Sequence, residues 1–168
     1  LKTNNGGATW FEQNSHTDPS LYSIYFANSS VGWAVGDFGT ILTTASGGAL
    51  WSGQTSNTFT TLLAIKFFDA LNGWAVGYGG TILRTTNGGA NWSFQGSGTT
   101  QTLYSIDIRS ATNVYISGDF GVVLHTTNGG LIWGSLTTNT SMSIYSISFY
   151  SNAMGWGVGD DGGIIRTT

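Results

Sequence analysis

Large aromatic residues recur along this chain at a constant interval of 41 residues. Two series keep that interval, namely Trp10, Trp51, Trp92 and Trp133, and Trp33, Trp74, Tyr115 and Trp156. Self-similarity at a fixed period is the signature of a repeat architecture, in which one supersecondary unit is copied along the chain. Since the 168 residues show no insertion or deletion between the series, they contain four copies of a unit of constant size.

Each unit is predicted to form four short strands joined by tight turns. The first strand, such as "LYSIYF" in the first unit, alternates apolar and polar positions as a half-buried strand does. The second and third strands, such as "GWAVG" and "TILRT", follow with hairpin spacing, and the tryptophan begins the fourth. Four antiparallel strands in about 40 residues favour an all-β β-propeller over the alternative of a parallel β-solenoid. The sequence therefore predicts about sixteen strands and negligible helix.

The repeat phase divides the chain into four blades, at 21–57, 62–98, 103–139 and 144–168. The fourth unit lacks the last turn and strand, and the segment 1–14 carries the missing pieces. Because an open sheet edge favours pairing, this N-terminal strand is expected to complete the last blade. Closure within the chain is preferred, and completion from a neighbouring subunit, as in a head-to-tail polymer or a longer covalent array, is the alternative. Both predict contact between Trp10 and the blade of Trp156.

Charge and composition exclude several classes of partner. Only 8% of the residues are charged, against roughly 25% in an ordinary soluble domain, and the net charge is -3. The five basic residues are dispersed, so no basic stripe exists for a nucleic acid. There is no cysteine and no apolar run of membrane-spanning length, and Leu1 begins within a repeat motif, which suggests a mature or excised chain. The polar, uncharged surface favours an extracellular or secreted protein, with the periplasm or a lumen as alternatives.

The turn before each series tryptophan carries a recognisable motif. The pattern of Thr, Asn, Gly and Trp at Thr3 to Trp10 and at Thr85 to Trp92 resembles the Asp-box of sialidase-type (BNR) repeats. The turn from Thr126 to Trp133 keeps most of the pattern, and the turn from Thr44 to Trp51 is degraded, with Ser46 and Leu50 at motif positions.

The longer run "GWAVGYGGTILRTTNGGANW" at 73–92 resembles the photosystem II stability and assembly factor family of propellers. This resemblance implies the fold over essentially the whole chain. It implies little about chemistry, since similar blades occur in sialidases, xyloglucanases and assembly chaperones. The chain also departs from that family: seven blades are usual there, and its arginine-rich patch is represented only by Lys2, Arg84 and Arg166.

One position within the first strand differs in chemistry from unit to unit, and these four residues are a candidate ligand-binding row: Tyr25, Lys66, Asp107 and Ser148. In a propeller the innermost strand lines the axis, so the row is a candidate for the channel wall. The alternative, which is favoured, is that Lys66 and Asp107 pair between adjacent blades and the others contact water.

Three aspartates at equivalent turns, Asp37, Asp119 and Asp160, are the other candidate binding residues. Two carboxylates at a set separation would suit a glycosidase, and several would suit calcium, but Asp before Gly is also ordinary turn chemistry, which is preferred. Glu12 is the only glutamate, so a sialidase pair is not expected. The sequence thus predicts no catalytic residue, metal site or cofactor.

Three sequons, at Asn28, Asn91 and Asn139, are candidate glycosylation sites. Asn91 lies within a box turn, where its side chain is expected to serve the turn, whereas Asn28 and Asn139 fall in connecting loops.

These features favour a non-enzymatic extracellular scaffold or binding module with a protein or glycan partner, capable of forming a homo-oligomer or a filament. Constant repeat length supports this class, since no inserted loop is available to build a catalytic cleft. The alternatives are a carbohydrate-active enzyme such as a glycoside hydrolase, and an assembly chaperone for a membrane protein complex.

Overall fold

The computed structural model describes residues 1–167, and its regular structure is almost entirely β. It contains fifteen strands: β1 (Leu21–Phe26), β2 (Gly32–Gly36), β3 (Ile41–Thr44), β4 (Ser52–Gln54), β5 (Leu62–Phe67), β6 (Gly73–Gly77), β7 (Ile82–Thr85), β8 (Ser93–Gln95), β9 (Leu103–Ile108), β10 (Val114–Gly118), β11 (Val123–Thr126), β12 (Gly134–Ser135), β13 (Ile144–Phe149), β14 (Gly155–Gly159) and β15 (Ile164–Arg166). The only helical segments in this described part are 3-10 turns of three residues, at Asp37–Gly39, Tyr78–Gly80, Asp119–Gly121 and Asp160–Gly162. None of them is long or apolar enough to cross a membrane.

The strands form four antiparallel sheets, one per repeat, each with its strands in chain order. Three sheets have four strands, and the fourth, β13-β14-β15, has three. The prediction of an all-β structure grouped in blades is confirmed, with fifteen strands in place of about sixteen. The strands of the four sheets lie within the predicted ranges 21–57, 62–98, 103–139 and 144–168.

The first strand of each sheet is the innermost strand of its blade. Strands β1, β5, β9 and β13 follow one another and contact in that order. Side chains also bond across these junctions: Ser23 Oγ accepts from the Ile65 amide at 3.2 Å, and Ser105 Oγ accepts from the Ile147 amide at 3.3 Å. The innermost strands therefore form one continuous inner wall.

The hydrophobic core lies between successive blades. Trp33, Val35 and Ile41, from the second and third strands of blade 1, pack on Ile65 and Phe67 in the first strand of blade 2. The rings of Trp33 and Phe67 stack with centroids 3.7 Å apart. Burying each such side chain contributes about 1.5 to 3 kcal/mol. The constant interval of 41 residues thus reflects one packing contact repeated from blade to blade.

All four box turns form, including the one that the sequence shows as degraded. In the intact box at Thr85, Thr85 Oγ1 accepts from the Gly89 amide at 2.8 Å and Asn87 Oδ1 accepts from the Asn91 amide at 2.9 Å. In the degraded box Ser46 Oγ replaces the asparagine oxygen and accepts from the Leu50 amide at 3.0 Å. A hydroxyl acceptor is therefore sufficient for the turn.

Glutamines on the fourth strands connect each blade to the next. Gln54 Nε2 donates to the Gly88 carbonyl at 3.0 Å, and Gln54 Oε1 accepts from Trp92 Nε1 at 3.1 Å. Gln95 repeats both bonds in the following blade, with Gly129 and Trp133. We call these contacts the glutamine bridges. They fix the box turn of one blade against the outer strand of the preceding blade.

The N-terminal segment does not complete the fourth blade within the same molecule. It pairs with itself through a bridge between Lys2 and Phe11, and it lies beside blade 1. Trp10 is mostly exposed, as is Ile164 on the edge strand β15. Closure by the chain's own strand is therefore not formed in this structure, and completion from a neighbouring subunit stays a prediction.

Candidate functional site

A row of tyrosine–aspartate pairs lies at one end of the inner wall. Tyr22 donates to Asp37 at 3.1 Å and Tyr104 donates to Asp119 at 2.9 Å, in each case across the hairpin of one blade. A third pair joins the hydroxyl of Tyr145 to a carboxylate oxygen of Asp160. We call these three pairs the rim. They bring the three predicted aspartates to the same edge of the first strands of blades 1, 3 and 4.

Local backbone geometry places these aspartates. Each follows the glycine that ends the second strand, where a side chain has no room: a Cβ on Gly36 would overlap the Ser20 carbonyl, and one on Gly118 would overlap that of Thr102. This close approach allows the Asp37 amide to donate to the Ser20 carbonyl at 2.9 Å. The turn therefore aligns each carboxylate with the tyrosine at the start of the first strand.

Exposed aromatic rings flank two of the pairs. Phe38 and Phe120 follow their aspartates, lie mostly in solvent and adopt φ values of 54° and 53°. A bulky residue at positive φ is uncommon, and the conformation costs roughly 1 to 3 kcal/mol unless the surroundings impose it. The equivalent residues Gly79 and Asp161 have φ values of 61° and 55°, so the turn imposes this conformation in every blade and leaves the two phenylalanine rings exposed.

Hydrogen bonding and burial alter the acid–base properties of the rim. The bond to Asp37 raises the pKa of Tyr22, and the bond to Asp160 raises the pKa of Tyr145. Burial, followed by the bond to Asp119, raises the pKa of Tyr104 to about 12. The same bond from Tyr145 lowers the pKa of Asp160. At neutral pH each pair therefore contains a neutral phenol that donates to a carboxylate oxygen.

The rim combines aromatic faces with negative charge. The rings of Tyr104 and Tyr145, in neighbouring blades, meet edge to face with centroids 5.1 Å apart. Within residues 1–167 the one salt bridge joins Lys66 to Asp107, so no lysine or arginine forms a salt bridge with a rim carboxylate there. Ring faces attract cations, and carboxylates accept hydrogen bonds from ammonium and guanidinium groups. The arrangement suits a ligand with basic side chains or amines.

Blade 2 departs from this pattern at both positions of the pair. The position of the tyrosine is Leu63, and the position of the aspartate is Tyr78, which is half exposed. Both partners thus change together in the one repeat that lacks the hydrogen bond. The prediction from the sequence covered only the aspartates and missed the tyrosines. The simultaneous replacement of both residues in blade 2 is the signal in the sequence that could have identified the pairs.

The variable row on the first strands is used mainly in contacts between blades. Lys66 Nζ lies 3.1 Å from Asp107 Oδ1, which is the pairing that the sequence favoured. Asp107, which is buried, also accepts from the Phe149 amide at 2.7 Å, and the ring of Tyr25 stacks near Phe67. Ser148 is exposed. A ligand-binding role for this row stays a prediction.

The three sequon asparagines are all exposed. Asn28 accepts from the amides of Ser30 and Val31 in its loop, and Asn139 has a positive φ of 54°. Asn91 serves its box turn with its backbone amide, which donates to Asn87. Glycosylation at the three sites stays a prediction. Within residues 1–167 no three histidine, aspartate or glutamate side chains cluster as a metal site would require.

Several solved structures are similar to this chain. The chain matches YCF48 bound to D1 peptide with a TM-score of 0.71 at 20% identity, covering 84% of this chain and 47% of that one. It matches YCF48 from Cyanidioschyzon merolae with a TM-score of 0.73 at 19% identity, covering 96% and 52%. An ancestral GH74 enzyme gives a TM-score of 0.76 at 16% identity, covering 94% and 24%. At these identities the likeness shows the β-propeller fold alone.

This chain spans about half the length of the YCF48 structures that it matches. No curated protein sequence matches it. The family model described as photosynthesis system II assembly factor YCF48 matches residues 50–142, which is more than half of the 168 residues. The matched range includes the run at 73–92 on which the resemblance to this family rests. The chain therefore belongs to the photosynthesis system II assembly factor YCF48 family.

Proposed function

We propose that this chain is a non-enzymatic binding module that holds an extended, basic protein segment against the rim. The observation that carries the proposal is the repetition of one tyrosine–aspartate pair in three blades, next to exposed phenylalanines. Repetition of the same contact group along the inner wall suits a ligand that extends past several blades. An extended peptide has that form, and its main chain leaves alternate side chains free to reach the rings.

The carboxylates and aromatic rings of the rim favour a protein segment with basic side chains. Each rim carboxylate accepts one bond from its tyrosine, which leaves further acceptor positions for a ligand. A lysine or arginine of the segment gains charge-assisted hydrogen bonds from the carboxylate and a cation–π contact from the neighbouring ring. Family membership supports a protein ligand, since one YCF48 structure is bound to a D1 peptide. An assembly role, in which the module holds a protein segment while a complex forms, is consistent with this choice.

The proposal favours binding over catalysis for the same carboxylates. Asp37, Asp119 and Asp160 each accept a tyrosine hydroxyl, and this bond lowers the pKa of Asp160, which opposes the raised pKa that a general acid needs. We extend the proposal to an extracellular or lumenal location, supported by the low content of charged residues. The alternative, a glycoside hydrolase, would be recognised by hydrolysis of a carbohydrate substrate.

The test measures fluorescence anisotropy of labelled extended peptides of equal length that carry either lysine and arginine or glutamate. We expect saturable binding of the basic peptide only, weakened by salt because the contact is between charges at the surface. The variant Asp119→Asn should weaken binding several-fold, and Glu12→Gln, which removes one negative charge from the exposed N-terminal segment, should not.

Two results would contradict the proposal. One is equal binding of basic and acidic peptides, or equal effects of the two variants, because the rim would then not select the ligand. The other is hydrolysis of xyloglucan or sialoside panels that is lost in Asp37→Asn or Asp160→Asn, which would assign the carboxylates to an enzyme.

A further inference from the structure

A groove beside the rim in blade 1 has two exposed phenylalanines as its walls. Phe38 follows Asp37 in the turn after β2, and Phe59 belongs to the loop between β4 and β5. Both rings line a cavity of about 710 Å³, which we call the blade 1 groove. Phe59 is 89% exposed, the largest exposed fraction of any large hydrophobic side chain in residues 1–167, and Phe38 is 68% exposed.

Contacts between two segments hold these walls side by side. Gly39 has a φ of 68°, and a Cβ at this position would overlap the Thr58 carbonyl. Thr61 Oγ1 also donates to Asp37 Oδ1 at 3.0 Å. The turn that carries Phe38 therefore packs directly on the loop that carries Phe59.

The rest of the groove is uncharged and mainly apolar. The buried side chains of Ile41 and Trp51 contribute apolar surface, whereas the segment 15–17 and Thr55 contribute polar groups. None of the described residues that line the groove is a lysine, arginine, aspartate or glutamate. Since Asp37 is the residue before Phe38, a carboxylate of the rim lies at the edge of an apolar groove.

Blade 2 forms an equivalent groove without the aromatic walls. The positions of Phe38 and Phe59 are occupied there by Gly79 and Thr100, which line a cavity of about 770 Å³. The backbone geometry is the same, because the glycine that follows again approaches the carbonyl of the loop. Folding therefore does not require the two rings. Adjacent apolar side chains that are exposed and bordered by polar groups mark an interaction site.

The phenylalanines occur only in blades that also have the aspartate of the rim. Blade 1 combines Asp37 with both rings, and blade 3 combines Asp119 with Phe120 but has Ser141 at the position of Phe59. Blade 2 has neither the aspartate nor the rings. Apolar and acidic groups are thus placed next to each other, as expected when one ligand contacts both.

We propose that the blade 1 groove receives one large apolar side chain of the same basic segment that contacts the rim. This inference rests on the function proposed for the rim and adds a second criterion for the ligand. An aromatic side chain of the segment packs between the two rings, where edge-to-face and offset contacts are favourable. The charge at the edge of the groove favours this occupant over a neutral glycan, because a single peptide then satisfies both the carboxylate and the rings.

The geometry of an extended chain gives the spacing within the ligand. Residues i and i+2 of such a chain lie on the same side, about 7 Å apart. Asp37 and Phe38 are consecutive, so their two ligand side chains are also close together. The apolar residue is therefore expected two positions from the lysine or arginine that contacts Asp37.

The experiment compares two basic peptides of equal length and charge by fluorescence anisotropy. They carry either phenylalanine or alanine at both positions two residues from a central lysine, and acidic versions of both complete the set. Burial of one phenyl group should make the phenylalanine peptide bind about tenfold more tightly than the alanine peptide. Phe59→Ala should remove most of this preference and leave the affinity for the alanine peptide unchanged, because the carboxylates of the rim remain.

Phe68→Ala is the matched control. It removes a phenylalanine that is 48% exposed at the other end of β5, so the preference should be unchanged. A restoring variant tests the requirement for two walls. Ser141 is exposed, and Ser141→Phe in the Phe59→Ala chain completes the pair with Phe120 beside Asp119. This chain should regain the preference for the phenylalanine peptide, and circular dichroism verifies that each variant is folded.

The two proposals fail in different ways. Equal binding of the phenylalanine and alanine peptides, with basic peptides still preferred to acidic ones, overturns the groove alone. So does a preference that persists in Phe59→Ala, that is lost in Phe68→Ala or that Ser141→Phe does not restore. A preference for phenylalanine that is equal in basic and acidic peptides overturns the function of the rim, and no binding of any peptide overturns both. Saturable binding of a neutral oligosaccharide that is lost in Phe59→Ala would assign the groove to a glycan instead.

Discussion

Trp74 and Trp156 occupy equivalent positions two repeats apart, in the nearly identical strands "GWAVG" and "GWGVG". Trp74 is fully buried between blades 2 and 3, whereas Trp156 is 40% exposed at the end of the array. The same contrast separates Ile65 from Ile24. In this chain the repeat pattern determines the shape of each blade, and the neighbouring blade determines how much of it is buried.

The largest expected difference comes from truncating the two tryptophans. Trp74→Ala should lower the free energy of unfolding by about 3 to 5 kcal/mol, because it removes a buried aromatic side chain and leaves a cavity. Trp156→Ala should cost less than about 2 kcal/mol, since part of the ring already contacts water. Urea denaturation measures both. Equal costs would show that exposure does not distinguish the end of the array.

Ile65 and Ile24, at equivalent positions of the first strands of blades 2 and 1, give a second comparison of a buried with an exposed side chain. Ile65→Ala should cost about 2 to 5 kcal/mol, and Ile24→Ala should cost about 1 kcal/mol or less, as urea denaturation can measure. A large cost for Ile24→Ala would contradict the exposure of this side chain, which is 59%.

The ion pair of Lys66 and Asp107 joins a partly exposed side chain to a mostly buried one, so variants of the two residues compare exposed with buried positions. Asp107 is buried and also accepts from the Phe149 amide, so Asp107→Asn should cost about 1 to 3 kcal/mol. Lys66→Met should cost about 1 kcal/mol or less, because the lysine side chain is 39% exposed and its charge is screened. The reverse order of costs, measured by urea denaturation, would show that the ion pair contributes more than the amide bond.

The raised pKa of Tyr104 in the rim predicts that the stability of the fold decreases at alkaline pH. Because the pKa of Tyr104 is raised to about 12 from an ordinary value of about 10, its contribution to stability is complete below pH 10 and is lost as the pH rises towards 12. Asp119→Asn should lower the pKa of Tyr104, since it removes the negative charge that opposes ionisation. Ultraviolet titration of tyrosinate, with Tyr104→Phe to assign the signal, measures the change. An unchanged titration would mean that burial alone raises this pKa.

The smallest effect is expected at the turn of the last blade. Asp161 has a φ of 55°, and asparagine adopts this left-handed conformation readily. Asp161→Asn should therefore change the free energy of unfolding by no more than about 0.5 kcal/mol. A cost comparable to that of Trp74→Ala would mean that the charge of Asp161 serves a contact beyond the turn.

Much of the blade could be predicted because its determinants are local. The alternation of "LYSIYF" places Ile24 and Phe26 on one side of a strand, and the threonine and asparagine of each box accept bonds from amides only a few residues away. The interval between the tryptophans also indicates repeated packing, as the stacking of Trp33 on Phe67 shows.

Features that join distant residues were harder to predict. The partner of Asp119 is Tyr104, which is 15 positions away and becomes a neighbour only when the hairpin forms. Trp10 is mostly exposed although its box turn forms like those of the buried Trp92 and Trp133, so the turn motif alone does not encode burial. Ser46 shows the opposite error, since a departure from the box motif in sequence left the turn geometry unchanged.

The glutamine bridges are present at two of the three blade junctions, so we expect the array to unfold from one end first. They connect blade 1 to blade 2 and blade 2 to blade 3, but the position equivalent to Gln54 and Gln95 in blade 3 is Leu136. The third junction depends instead on bonds such as those from Arg109 to the carbonyls of Phe149 and Tyr150. Amide hydrogens of blade 4 should therefore exchange first by local opening, and protection should extend stepwise towards the blades that the glutamines connect.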